Sequence, residues 1–348
     1  MTDYLPLIGI SMGDPSGIGP EIVLKSIARR EIRESSLPVV VGKRDYLEGL
    51  ADHLKLSLEF CSFSDVKPHP FSGKIPVFEP DALSFPRPCF GKISPECGSA
   101  ALLCVREAAA LCLEKKLDGL VTAPVSKEAI ELAGHPFHGH TGFLRDFSGV
   151  PRTGMLFTVP APYKIGLFTT HVSLKEAIRK VRKEELLSAI QFFYKGIKDL
   201  FWEEPRIAVS ALNPHAGEGG SLGTEEETEI RPAIEECLRK GIAIDGPFPA
   251  DTLVVAAKRK GFNLLFFLLH DQAMILVKSL YFRRAVNVTI GLPFVRTSPA
   301  HGIALDIAGK NEADASSMVE AILQCVRLSF LHDAHRRQPG EKSDRTVH

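Results

Sequence analysis

Three histidines follow closely on apolar runs: His171 after "YKIGLFTT", His215 after "RIAVSAL" and Asn213-Pro214, and His270 after "NLLFFLL". One histidine beside an apolar run is ordinarily structural. Neutral imidazoles on three separate loops, however, suit a Zn²⁺-like ion with an open coordination position. Each would need an acceptor on its other ring nitrogen, and Asp251 in "GPFPADTL" and Asp271 beside His270 are available. The stretch from 270 to 310 adds Lys278, Asn287, Arg296 and His301. A lysine and an arginine flanking a buried strand match a doubly charged group such as a phosphate, the arginine by its planar fork and the lysine as a point charge. His140 and Thr141, in "GHTGFL", stand where a helix begins, so its dipole and two donors would face an anion placed there.

Two glycine-bearing loops add to these. "SMGDPSGIGPEI" holds Gly13, Gly17 and Gly19, the acid Asp14, and Pro20 placed for the first turn of a helix. It reads either as an anion or cofactor loop or as a tight turn. It is not a dinucleotide fingerprint, because Ile22 stands three positions beyond Gly19. "HGIALDIAGK" carries His301, Gly302 and Asp306 through a second small-residue turn.

The elements that must position these groups alternate in a βαβ rhythm, which predicts a mostly parallel sheet: "LPLIGI" then "PEIVLKSIARR", "LPVVV" then "DYLEGLADHL", "LDGLVTA" then "SKEAIELA". Further strands are expected over 154–159, 163–170, 206–212, 263–269 and 285–292. Helices are expected over 96–116, 173–201 (one or two), 224–240 and about 314–331. Thr224 followed by Glu227 reads as a capping box for the third of these. The proline-rich 62–95 segment and the polar tail from 333 read as irregular and disordered, respectively.

The 348 residues are 45% hydrophobic, enough for one large or two medium cores without staples. Forty-two basic residues balance forty-two acidic ones, so no overall field attracts nucleic acid or an anionic membrane, and a small molecule is the expected partner. Seven cysteines, an odd number with Cys97, Cys104 and Cys112 at helical spacing, read as buried thiols in a reducing compartment. No basic leader opens the chain, and "LLFFLL" is far too short to span a bilayer, so the chain reads as cytoplasmic.

"GDPSGIGPEI", "TAPVSKEAI", "GHTGFL", "THVSL", "LNPHAGEGGSLGTEE", "GPFPADTL", "HDQ" and "VNVTIGLPFVRTSPAHGIALDIAG", in that order from about residue 7 to 330, resemble the 4-hydroxythreonine-4-phosphate dehydrogenase family of pyridoxal phosphate biosynthesis. The resemblance implies an NAD- or NADP-dependent homodimer that uses a divalent metal (Zn, Mg or Co). Its fold would be two α/β/α subdomains with a cleft between them, like isocitrate and isopropylmalate dehydrogenases. The first subdomain is placed at 1–130 with 285–332, and the second, bearing the dimer interface, at 131–284. It further implies His171, His215 and His270 as metal ligands shared between subunits, and His140, Thr141, Lys278, Asn287 and Arg296 as substrate contacts. The cofactor is expected at Gly13, Asp14, His301, Gly302 and Asp306. The proton acceptor stays open among Asp251, Asp271 and a metal-bound hydroxide.

Gly142, Leu276 and Arg283-Arg284 depart from the family pattern, Gly142 standing where an acid is common, so relatives that act on phosphorylated threonate or erythronate, or on a dihydrodiol, stay in view. Taken without the resemblance, the histidine trio also admits a metal hydrolase.

Overall fold

The computed structural model describes residues 5–65, 73–86, 88 and 90–336. Twelve strands join in one sheet: β1 Leu7–Ser11, β2 Leu37–Val41, β3 Phe60–Ser62, β4 Ile75–Phe78, β5 Gly119–Thr122, β6 Gly154–Thr158, β7 Lys164–Leu167, β8 Ile207–Ser210, β9 Ile244–Phe248, β10 Leu264–Phe267, β11 Val286–Ile290 and β12 Val295–Pro299. Their order is β3-β4-β2-β1-β5-β12-β11-β6-β7-β10-β8-β9. The first six are mutually parallel, and so are the last four. Between them the pairs β12/β11, β11/β6 and β6/β7 are antiparallel, so the two parallel blocks run in opposite directions.

The parallel strands are apolar on both faces because helices cover both. Ile8, Ile10, Val39, Val40, Leu120, Val121 and the whole of β10 are buried. At the seam the pattern changes to alternation. Thr297 faces the helix Ser316–Arg336, where its hydroxyl donates to Ala321 O at 2.7 Å, while Arg296 and Ser298 point to the opposite face. The β11–β12 turn brings backbones together: a Cβ on Gly291, at φ +90°, would lie 2.6 Å from Arg152 O.

Several expectations need correction. The 62–95 segment contains β4, which pairs with β2 on one side and β3 on the other, so tertiary pairing completes a strand that proline-rich composition hides. The strands β9 and β12 lie outside the expected strand ranges as well; prolines at 293 and 299 give β12 the composition of a loop. Thr224 and Glu227 form no capping box. The Glu227 carboxylate accepts from Arg231 Nε at 2.9 Å, and a π-helical turn, Glu226–Ile230, precedes the helix Arg231–Arg239. The disorder expected from 333 does not hold over 333–336, where the last helix continues to Arg336; residues 337–348 lie outside the described ones. Cys97, Cys104 and Cys112 are buried free thiols, and no helix among the described residues is long and apolar enough to cross a membrane.

Candidate active site

The seam strands floor a cavity of about 280 Å³. Period-two alternation turns Met155 and Phe157 of β6, Asn287 of β11, and Arg296 and Ser298 of β12 toward it. The helix His270–Tyr281 walls one side with His270, Met274 and Lys278, four residues apart and therefore on one face. His140 and Thr141, in the first turn of the helix Gly139–Phe147, also line it. The five residues expected to meet substrate, His140, Thr141, Lys278, Asn287 and Arg296, thus share one cavity. They sit largely over a sheet face rather than beyond strand ends.

Arg296 dominates the electrostatics. Its side chain is fully buried and meets two hydroxyls: Nη1 donates to Thr289 Oγ1 at 3.0 Å, and Nη2 to Thr122 Oγ1. Its Nε has no partner and no carboxylate pairs with it among the described residues, and burial pushes the guanidinium down to about 9. Burial, with the Arg296 charge beside it, holds the His140 imidazole well below the usual histidine range. His140 Nε2, Asn287 Oδ1 and His301 Nε2 are buried without partners as well. Each such atom costs on the order of 1–3 kcal/mol when left unsatisfied, and four beside one cavity mark a place built for a polar ligand. Thr122 and Thr289 were not singled out from the sequence. Their signal is alternation on strands adjoining Arg296, readable only once β12 is recognised.

His171, just past β7, and His270 line the cavity together, their ring centroids 5.8 Å apart. Burial first, and then the charges of His270 and Lys127, hold His171 below its usual range. His270 Nδ1 lies 2.8 Å from Asp271 Oδ1, leaving Nε2 for a ligand. His215 does not line this cavity, and among the described residues no three His, Cys, Asp or Glu side chains gather as a metal site. It opens a left-handed run, with φ positive at every residue from His215 to Gly219, three of them not glycine. Buried Glu226 anchors the approach by accepting from Leu212 N and Asn213 N at 2.9 and 2.8 Å.

Asp251 is exposed, Asp271 serves His270, and neither lines the cavity. The two glycine-bearing loops meet: Ile18 N donates to Ile303 O at 3.0 Å, and a Cβ on Gly17 would lie 2.9 Å from that oxygen. Gly13 and Asp14 are therefore near the 301–306 turn. The Asp14 carboxylate is buried, accepts from Ser16 N at 2.8 Å, and is pushed up in pKa by that burial. Gly302 and Asp306 are exposed, while His301 reaches the cavity.

Residues 34–325 match the family model described as pyridoxal phosphate biosynthetic protein PdxA. The chain is 40% identical over 331 residues to the D-threonate 4-phosphate dehydrogenase of Cupriavidus necator, covering 94% of this chain and 99% of that one. It is 37% identical over 335 residues to the 4-hydroxythreonine-4-phosphate dehydrogenase of Geobacter metallireducens, covering 94% and 97%. The crystal structure of 4-hydroxythreonine-4-phosphate dehydrogenase from Klebsiella pneumoniae superposes with a TM-score of 0.82 at 32% identity, over 93% of this chain and 99% of that one. The motif order, the shared architecture and these near full-length matches lead to one conclusion: the chain belongs to the PdxA family and is an oxidoreductase of the dehydrogenase type.

Proposed function

We propose that this chain oxidises the C3 hydroxyl of a four-carbon acid phosphorylated at C4, with hydride passing to NAD or NADP. The isolated charge of Arg296 carries this reading: a buried guanidinium with only hydroxyl partners favours an anion in the cavity. Lys278 and the start of the helix Gly139–Phe147 add to the same field. Arg296, Lys278, His140, Thr141 and Asn287 would hold phosphate and carboxylate, so that binding of remote groups orients the reacting carbon. The loops that meet at Ile18 and Ile303 would receive the nucleotide through Gly13, Asp14, His301, Gly302 and Asp306.

The first candidate substrate is 4-phosphohydroxy-L-threonine, whose oxidation gives 2-amino-3-oxo-4-phosphohydroxybutanoate. That product is a β-keto acid and loses CO₂ to form 3-amino-2-oxopropyl phosphate, a step toward pyridoxal 5'-phosphate. A second candidate, threonate 4-phosphate, draws support from the cavity wall, where no Asp or Glu stands among the described residues. An α-ammonium finds no carboxylate there, whereas an α-hydroxyl needs only hydrogen bonds.

His171, His215 and His270 would hold a divalent ion, and the donors fit: His171 is held below its usual range, and Asp271 orients His270. When bound, that ion supplies Lewis-acid polarisation of the C3 oxygen. In this reading His215 comes from a second copy. Leu174 and Ile275, 63% and 69% exposed beside His171 and His270, support a homodimer with shared sites. The subdomains would be 1–130 with 285–332, and 131–284.

Purified protein given either acid, NAD or NADP, and Zn²⁺, Mg²⁺ or Co²⁺ is expected to form reduced nicotinamide. Absence of reduced nicotinamide under every combination sinks the reading. Product released without nicotinamide points to the three-histidine hydrolase instead.

A further inference from the structure

Oxidising an alcohol requires a proton acceptor as well as a hydride acceptor, and the titratable groups around the cavity are unequal candidates. Lys278, as an ammonium, has no lone pair to offer. His171 and His270 are committed to the ion in the reading above. His140 has a free Nε2, but a proton arriving there would create an imidazolium beside the buried Arg296 guanidinium, in a setting where burial already opposes charge. His138 is exposed at the helix start, and Asp251 and Asp271 stand outside the cavity.

His301 differs in two respects. Its Nδ1 lies 3.1 Å from Gly302 O. A carbonyl can only accept, so Nδ1 carries the proton, and the other nitrogen is left with its lone pair. That other nitrogen, Nε2, is buried without a partner, on a ring that lines the cavity. The second difference is electrostatic. Hydrogen bonds from Ser316, and then the charges of Arg283 and His301, hold the Asp314 carboxyl below its usual range. His301 therefore has an ionised carboxylate within electrostatic reach.

We infer that His301 Nε2 is the catalytic base that takes the proton of the substrate's C3 hydroxyl. The C3–H bond breaks with its electron pair going to the oxidised nicotinamide ring. The O–H bond breaks with its pair forming the C3 carbonyl, and the proton passes to Nε2, giving a His301 imidazolium. The place of His301, between the nucleotide loop and the substrate cavity, suits a group that acts where the two reactants meet. This assignment rests on the dehydrogenase reading above.

The test compares wild type with His301→Ala and His301→Gln in the metal-loaded protein, following reduced nicotinamide and, separately, NADH binding by fluorescence. The expected result is a fall in kcat of about 10²–10⁴-fold, with KM for the phosphorylated acid within about threefold. NADH binding weakens far less than kcat falls, because Gly13, Asp14, Gly302 and Asp306 of the same loops remain, and added imidazole restores activity to His301→Ala but not to wild-type controls already at full rate. Retention of kcat in both variants overturns the assignment. So does a loss of NADH binding that accounts for the whole defect with no rescue, which makes His301 a cofactor contact only. An inactive wild type overturns the dehydrogenase reading, and this assignment with it.

Discussion

Arg296 Nη1 donates to Thr289 Oγ1 at 3.0 Å, and both side chains are buried. A neutral hydroxyl fixes the fork without cancelling its charge, which a carboxylate at that position would do. Thr289→Val keeps the shape and removes the acceptor. It should weaken binding of inorganic phosphate by about tenfold or more, since a hydrogen bond to a charged group contributes about 1.5–3 kcal/mol. Thr289→Ser should stay near wild type. Calorimetric titration with phosphate checks both, and equal affinity in all three proteins contradicts the role.

Arg296→Met should separate stability from function. Replacing a buried, uncompensated charge by an apolar side chain of similar length is neutral or stabilising by about 1–4 kcal/mol in comparable sites. Denaturant unfolding of the ligand-free protein should therefore show no loss, while phosphate binding and turnover fall at least about 100-fold. A variant that unfolds more easily would show that Arg296 holds the seam together in the absence of ligand.

The same residue sets a pH dependence whose sign follows from its depressed pKa. Burial pushes the folded-state guanidinium down to about 9, well below the ordinary arginine value of the unfolded chain. Between these the unfolded chain binds the extra proton, so the penalty of burying the charge is present below about 9 and is relieved as pH rises above it. Wild-type stability measured relative to Arg296→Met should rise above that pH, and phosphate affinity should fall over the same range. A flat difference between the two proteins contradicts the assignment.

Metal ligation across a dimer has its own signature. His171→Ala and His215→Ala should each lose bound metal and turnover while remaining folded. Mixed and refolded one to one, half of the dimers are hybrids with one of two sites complete, so about a quarter of wild-type activity should return. Recovery requires His215 and His171 to reach one site from different copies; no recovery argues against sharing.

Gly142 follows Thr141 in the first turn of the helix beside the cavity, where an acid would suit the helix dipole. Gly142→Glu should raise kcat/KM for 4-phosphohydroxy-L-threonine relative to threonate 4-phosphate by about tenfold, roughly 1.4 kcal/mol of added attraction for an ammonium. Its Cβ would lie 3.3 Å from His138 Cβ, a contact that an exposed side chain can relieve. An unchanged ratio would separate Gly142 from substrate choice.

Much of this protein was already legible in its sequence. The runs "LPVVV" and "NLLFFLL" read as strands because apolar continuity is what a sheet buried on both faces demands. His171, His270, Lys278 and Arg296 stood out because polar groups beside such runs need a physical reason. Other features depended on partners distant in the chain. β4 exists through its pairing with β2 and β3, and Glu227 is drawn from its cap by Arg231. The buried charge of Arg296 and the hydroxyls that hold it come from three strands, with Thr122 separated from Arg296 by 174 residues. Residue type and local periodicity determined which elements form and which side chains are suited to chemistry. Only the tertiary structure decided that an antiparallel seam turns them onto one face, because burial and charge pairing depend on neighbours that the linear chain does not specify.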